Sequence, residues 1–302
     1  MSTLTPALLR LQDDVCSAAA LRLLRHLDAF KKLAASEGAD IIRRDAEDAE
    51  KLNAGIKIAR AKGVLADNPN VPQPTRIQVA GMTAQEVTQE ILRKLPTKVG
   101  NVIVMQGLSG TGKGTTVEKL QKQLPKCVTW SNGNVFRSYT YLCHEKLHGH
   151  IRTDLLTPEL LKEVEEEVKF QKMPDGEFDI ILKGKLRVSE IQNTLLKTPE
   201  ISKAVPTVAE QTQGEVIRFA AAAVKELSQA GYNVILEGRA QTLNYIPTPL
   251  RFELVIDDVA VLGERRAAQR VMARALTDMK DHLDTATSKD VEEAVLKAVT
   301  EL

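Results

Sequence analysis

The stretch Asn101–Thr116, NVIVMQGLSGTGKGTT, constrains the chain more than any other. An apolar run reads as a buried strand, Gly107 and Gly112 bracket four residues, Lys113 follows, and VEKLQKQL continues as a helix. Glycines let backbone amides converge on phosphate oxygens, the helix directs its positive end at them, and the lysine adds a full charge. A strand, this loop and a helix belong to an α/β domain with a mostly parallel sheet. Gly114 departs from the simplest form of the pattern, which has Ser or Thr directly after the lysine; here Thr115 comes one residue later.

Other segments extend the same architecture. KCVTW, NVILEG and RFELVID are short apolar runs separated by helical stretches, as expected of strands buried on both faces. Between KCVTW and NVILEG, residues 168–188 change texture. VKFQKMPDGEFDIILKGKLRV alternates and is punctuated by Asp175-Gly176 and Lys183-Gly184, which predicts a small antiparallel meander inserted into the parallel domain. Thr83 and Glu86 have capping-box spacing ahead of Val87, Ile91 and Leu95, so a helix starts there and ends near Pro96.

Upstream, residues 1 to about 66 are rich in Ala, Leu, Arg, Asp and Glu, with Leu8, Leu11, Leu21, Leu24, Leu27 and Phe30 near helical spacing. Two or three helices are expected. Asp67–Thr75 carries three prolines in nine residues and reads as a linker, giving an all-α extension over 1–75, an α/β domain with the phosphate-binding loop over 76–302 and an insert over about 157–206. Asp13 and Asp14 interrupt the first amphipathic stretch and argue against a targeting presequence or secretory signal. Lys+Arg 41 against Asp+Glu 40 supplies no basic field for nucleic acid, and no apolar run reaches membrane-spanning length. Cys16, Cys127 and Cys143 suit neither a disulfide framework nor a paired metal motif and point to a reducing, cytoplasmic compartment.

Three constellations could carry chemistry. The first is the loop itself: Gly107, Leu108, Ser109, Gly110, Thr111, Gly112, Lys113, Gly114, Thr115 and Thr116. The second is NVILEGR, where a strand delivers Glu237, Gly238 and Arg239 to the edge at which parallel sheets bind ligands. A carboxylate there could orient magnesium-bound water, and the arginine could grip a phosphate. The third is SNGNVFR, Ser131 to Arg137, emerging at the same edge, with Asn132 and Gly133 in the turn and Arg137 one helical turn on. His144-Glu-Lys-Leu-His148 satisfies H-E-x-x-H, but adjoining Gly149 and the nearby His150 make it a helix end, and no metal ligands are assigned.

GLSGTGKGTT resembles the loop of nucleoside monophosphate kinases, in which the lysine is typically followed by Gly-Thr. Within them the chain is most similar to the cytidylate kinase group, through NGNVFR, the three-stranded meander, the long helix VAEQTQGEVIRFAAAAVKELSQ, EGR, and the ERAxRR-like segment Glu264–Arg270. The resemblance covers about residues 99–270. It implies a P-loop kinase fold that transfers the terminal phosphoryl group of ATP, with magnesium, to a nucleoside monophosphate, CMP or dCMP above all. Lys113 and the loop would hold the donor, with Thr115 supplying hydroxyl and amide; Arg137 and Arg239 would hold the acceptor phosphate; Arg266 and Arg270 would close over the reacting group. Gln192 stands where the group usually has a base-contacting arginine, and Ala240 replaces the aspartate that helps recognise cytosine. The arginine- and aspartate-rich lid segment is not recognisable after Arg270. These departures leave a second reading, a kinase-like module that binds nucleotide or serves as a structural protein. Residues 1–75 could pack on the kinase core or bind another protein.

Overall fold

The computed structural model describes residues 4–302. Three helices open the chain: α1 (Pro6–Leu11), α2 (Asp14–Leu24) and α3 (Asp28–Ala61). Gln12 in the left-handed region (φ 49°) and Asp13, whose side chain accepts from the Cys16 amide, separate the first two at the acidic interruption noted above. The proline-bearing segment then runs without regular structure into β1 (Thr75–Gln78), a strand not evident in the sequence. Helix α4 (Ala84–Leu92) follows, with the full capping box between Thr83 and Glu86.

The α/β unit continues with β2 (Val102–Gly107), α5 (Lys113–Gln123), β3 (Cys127–Trp130) and α6 (Asn132–Lys146). The insert comprises α7 (Pro158–Glu166), β4 (Val168–Lys172), β5 (Phe178–Leu182), β6 (Leu186–Arg187) and α8 (Val188–Ile191). Its strands pair antiparallel in the order β4-β5-β6, and Lys183 and Gly184, both at positive φ, make the second turn. Helix α9 spans Pro199–Gln229, starting nine residues before the stretch the sequence marks out because Thr198 caps it ahead of Pro199, and Pro206 is carried inside. Then come β7 (Asn233–Gly238), α10 (Ala240–Leu243), β8 (Arg251–Val255), α11 (Val259–Asp278) and α12 (Ser288–Glu301).

The five-stranded sheet has the order β1-β8-β2-β7-β3, every pair parallel. Register fixes the site. Gln106 is level with Gly238 and Gly107 with Leu254, while Trp130 is level with Leu236, so the loops after β2, β7 and β3 leave the sheet at one edge. An aromatic chain ties the meander to this sheet: Trp130 meets Phe170 edge-on at 5.6 Å, Phe170 stacks on Phe178 at 5.5 Å, and Phe178 meets Tyr232 at 5.8 Å.

The N-terminal helices are built into the body. Leu9, Cys16, Ala20, Leu24 and Phe30 share one buried cluster with Ala267, Val271 and Met272 of α11 and Val291 and Val295 of α12. Helix α3 then runs on past α11 to α9. It crosses α11 so closely that a Cβ on Gly263 would strike the Ala34 carbonyl oxygen, and it meets α9 where a Cβ on Gly55 would stand 2.9 Å from the Gln213 Cβ. All three cysteines are free. Among the described residues no helix is long and apolar enough to cross a membrane.

Candidate functional site

The loop between β2 and α5 is shaped by three glycines at positive φ, Gly107 (144°), Gly110 (84°) and Gly112 (88°). At Gly107 a Cβ would collide with the Leu254 carbonyl, so no other residue lets the loop leave the sheet this close to β8. Thr111 is buried and its hydroxyl donates to the Leu108 carbonyl at 2.9 Å; Thr116 donates to the Gly112 carbonyl at 2.9 Å. The side chain of Lys113, the first residue of α5, curls over the loop and donates to the carbonyls of Gly107 (2.9 Å) and Leu108 (2.8 Å). Burial, followed by the nearby positive charge of Arg239, holds its pKa below the ordinary lysine value; Glu237 and Asp45 partly offset this.

The end of β7 delivers Arg239 to the same place. Its guanidinium donates to Ser109 Oγ (3.2 Å) and the Gly107 carbonyl (3.4 Å), pairs with Asp45 and lies 3.6 Å from Asp48. Asp45 comes from α3. Its buried carboxylate accepts from the Ser109 amide (2.9 Å) and the Ser109 hydroxyl (2.8 Å). Burial works against its charge, but the hydrogen bonds from Arg239 and Ser109 outweigh it and the pKa falls below the ordinary aspartate value.

Beside this cluster opens a cleft of about 530 Å³, walled by Gly114 of the loop, Asn132 and Gly133 at the start of α6, Phe136, and Glu237, Gly238 and Arg239. Glu237 is exposed in it. Asn132 Oδ1 accepts from the Trp130 indole at 2.8 Å, fixing that wall. Arg137 stands just behind: its Nη1 is 3.0 Å from where a Cβ on Gly133 would sit, and its buried Nε has no hydrogen-bond partner.

Two groups of expected site residues lie elsewhere. Gln192 turns toward α6, accepting from Asn134 at 2.8 Å and donating to the Ser189 carbonyl at 3.3 Å, and so joins the insert to α6. Arg266 and Arg270, on α11, face Glu37 of α3; Arg270 pairs with it directly and Arg266 lies at 3.8 Å. Glu37 is eight residues before Asp45, which along a helix is about 12 Å. His148 of the H-E-x-x-H match lies beyond the end of α6 at φ 49°, so it does not sit one turn above His144.

Asp45, Glu37, Leu52 and Gln213 are absent from the expectations drawn from the sequence. The last two line the cleft, and Gln213 is buried with its amide nitrogen unpartnered. A signal for the two acids was present. The buried face of α3 runs Phe30, Leu33, Ala34, Glu37, Gly38, Ile41, Asp45, Ile56 and Ala59, so Glu37 and Asp45 fall in phase with the apolar stripe.

The family model for cytidylate kinase matches residues 103–295, from β2 into α12 and well over half of the chain. The chain belongs to the cytidylate kinase family. No curated protein matches it. The family's matched segment contains the loop, the meander and the cleft walls other than Leu52, whereas α1, α2, α3, β1 and α4 precede it. Every carboxylate of α3 that meets a family arginine, Glu37, Asp45 and Asp48, is therefore contributed from outside that segment.

Proposed function

We propose that the protein transfers the terminal phosphoryl group of ATP to a nucleoside monophosphate, with CMP or dCMP the preferred acceptor. The observation that carries this reading is the convergence of Ser109 and Arg239 on one anionic oxygen pair beside the cleft, with the Lys113 side chain folded over the same loop. The Asp45 carboxylate there receives an amide, a hydroxyl and a guanidinium, the donor set that suits a phosphate oxyanion. The residues thus fit the donor and acceptor phosphates. Lys113 and the Gly110–Thr115 loop would hold the donor; Arg239, with Arg137 behind Gly133, would hold the acceptor phosphate.

Thr115 and Glu237 would hold magnesium, which supplies charge neutralisation when bound. The protein's own contribution is positioning. The loop fixes one phosphate chain, Arg239 bridges from the loop to the acceptor, and the walls formed by Trp130 and Phe136 keep water from the reacting groups. Ala240 and the orientation of Gln192 leave base recognition to other cleft residues, and Gln213 offers an unpartnered amide for it.

A second reading, a nucleotide-binding module without turnover, is favoured by the pairing of Arg266 and Arg270 with Glu37, which ties both to α3. An ATP-coupled phosphoryl-transfer assay with CMP, dCMP, UMP and AMP separates the two. Transfer to at least one pyrimidine monophosphate is expected. Measurable ATP binding with no transfer to any of the four would leave the second reading standing.

A further inference from the structure

We infer that helix α3 carries an internal occupant of the phosphate site, the Asp45 carboxylate, which a nucleotide phosphate must displace. The inference concerns the site just described and rests on its being a phosphate site. Ser109 commits both its amide and its hydroxyl to Asp45, at 2.9 and 2.8 Å, and Arg239 commits the same Nη2 that reaches Ser109. An incoming phosphate oxygen needs those donors, and a hydrogen already given to one acceptor is not available to another. Lys113, meanwhile, spends its hydrogens on the loop's own carbonyls rather than pointing outward.

The contact is built in rather than casual. Ile41, one turn before Asp45, packs into the sheet core beside Leu262 and comes within 3.7 Å of the position a Gly110 Cβ would take. On either side the helix is seated at close crossings, Gly38 against Gly263 and Gly55 against Gln213, which set its rotation so that Asp45 faces the loop. Glu37 repeats the arrangement two turns earlier, holding Arg266 and Arg270. Two acids on one helical stripe thus occupy three arginines of the family segment. A phosphate dianion carries more charge than a carboxylate and gives more acceptor oxygens, so it competes for Ser109 and Arg239 when α3 can lift.

Two measurements on the full-length protein test this. Titration calorimetry with MgATP compares the wild type with Asp45→Asn, which keeps the shape and loses the charge, and with Asp40→Asn, an exposed acid of the same helix paired with Arg43. Asp45→Asn is expected to bind MgATP about ten- to a hundredfold more tightly, as when charge-assisted hydrogen bonds stop competing; Asp40→Asn should match the wild type. Hydrogen exchange on the wild type supplies a readout that does not depend on the variant folding. Amides of residues 41–49 should exchange faster when MgATP is saturating. Tighter binding by Asp45→Asn without any phosphoryl transfer would support the occupant and refute the kinase reading. Equal or weaker binding by Asp45→Asn, or unchanged or slower exchange at 41–49 with ATP bound, would overturn it and make Asp45 a positioning residue for Arg239.

Discussion

Lys113 holds a charge in surroundings that disfavour it, and this has a pH consequence. Its pKa is depressed by burial and by Arg239, so the folded protein releases that proton below the pH at which an unfolded lysine, near 10.5, would. Only the protonated form grips phosphate. Affinity for MgATP should therefore fall as pH rises through the depressed pKa, at a pH where an exposed lysine is still charged. A Lys113→Ala protein should lose that pH dependence; an identical alkaline profile in both proteins, followed by calorimetry, would contradict the assignment. At this scale the sequence was partly legible. Lys113, Glu237 and Arg239 were marked by spacing after strands, because strand ends of a parallel sheet share an edge. Asp45 and Glu37 were not, because an acid on a helix ordinarily faces water, and only the phase of the α3 stripe distinguishes them from Asp40 or Glu47.

Elements were more legible than residues where hydrophobic runs were long. The strands β2, β3, β7 and β8 and both turns of the meander fall where the runs and the Asp-Gly and Lys-Gly pairs place them. Strand β1 escaped because it has four residues of which only Ile77 is buried, so it exists through pairing with β8 and not through its own pattern. Helix α9 begins nine residues before the stretch VAEQTQGEVIRFAAAAVKELSQ and carries Pro206 inside it. Its first two turns survive by their own cap, where Thr198 accepts from the Ile201 amide at 3.4 Å. The crossing of α3 on α11 depends on Gly263, since an added Cβ there meets backbone that cannot rotate away. Gly263→Ala is expected to destabilise the fold by about 1–3 kcal/mol despite alanine's better helix propensity, as overpacking does. Denaturant unfolding measures it, and an equal or raised midpoint would show that the helices separate without cost.

For the whole molecule, the proline-bearing segment separates two stretches of sequence but not two cores. The apolar faces of α11 and α12 are covered by α1, α2 and the start of α3, with Ala267, Val271, Met272, Val291 and Val295 almost fully buried there. Deleting residues 1–66 should expose that surface and give a protein that aggregates or melts at a markedly lower temperature, visible by light scattering and calorimetry. A soluble fragment with the thermal stability of the full chain would contradict the shared core. The same helices bring three acids to the loop and to α11, so the extension bears on both the stability and the site of a cytidylate kinase family member. The most direct test is phosphoryl transfer from radiolabelled ATP to CMP by the full-length protein and by Lys113→Ala. Labelled CDP is expected with the wild type, and a loss of about 10²–10³ in turnover with the variant, the scale of removing one preorganised charge contact. No labelled diphosphate with the wild type, or equal turnover in both proteins, would contradict the account.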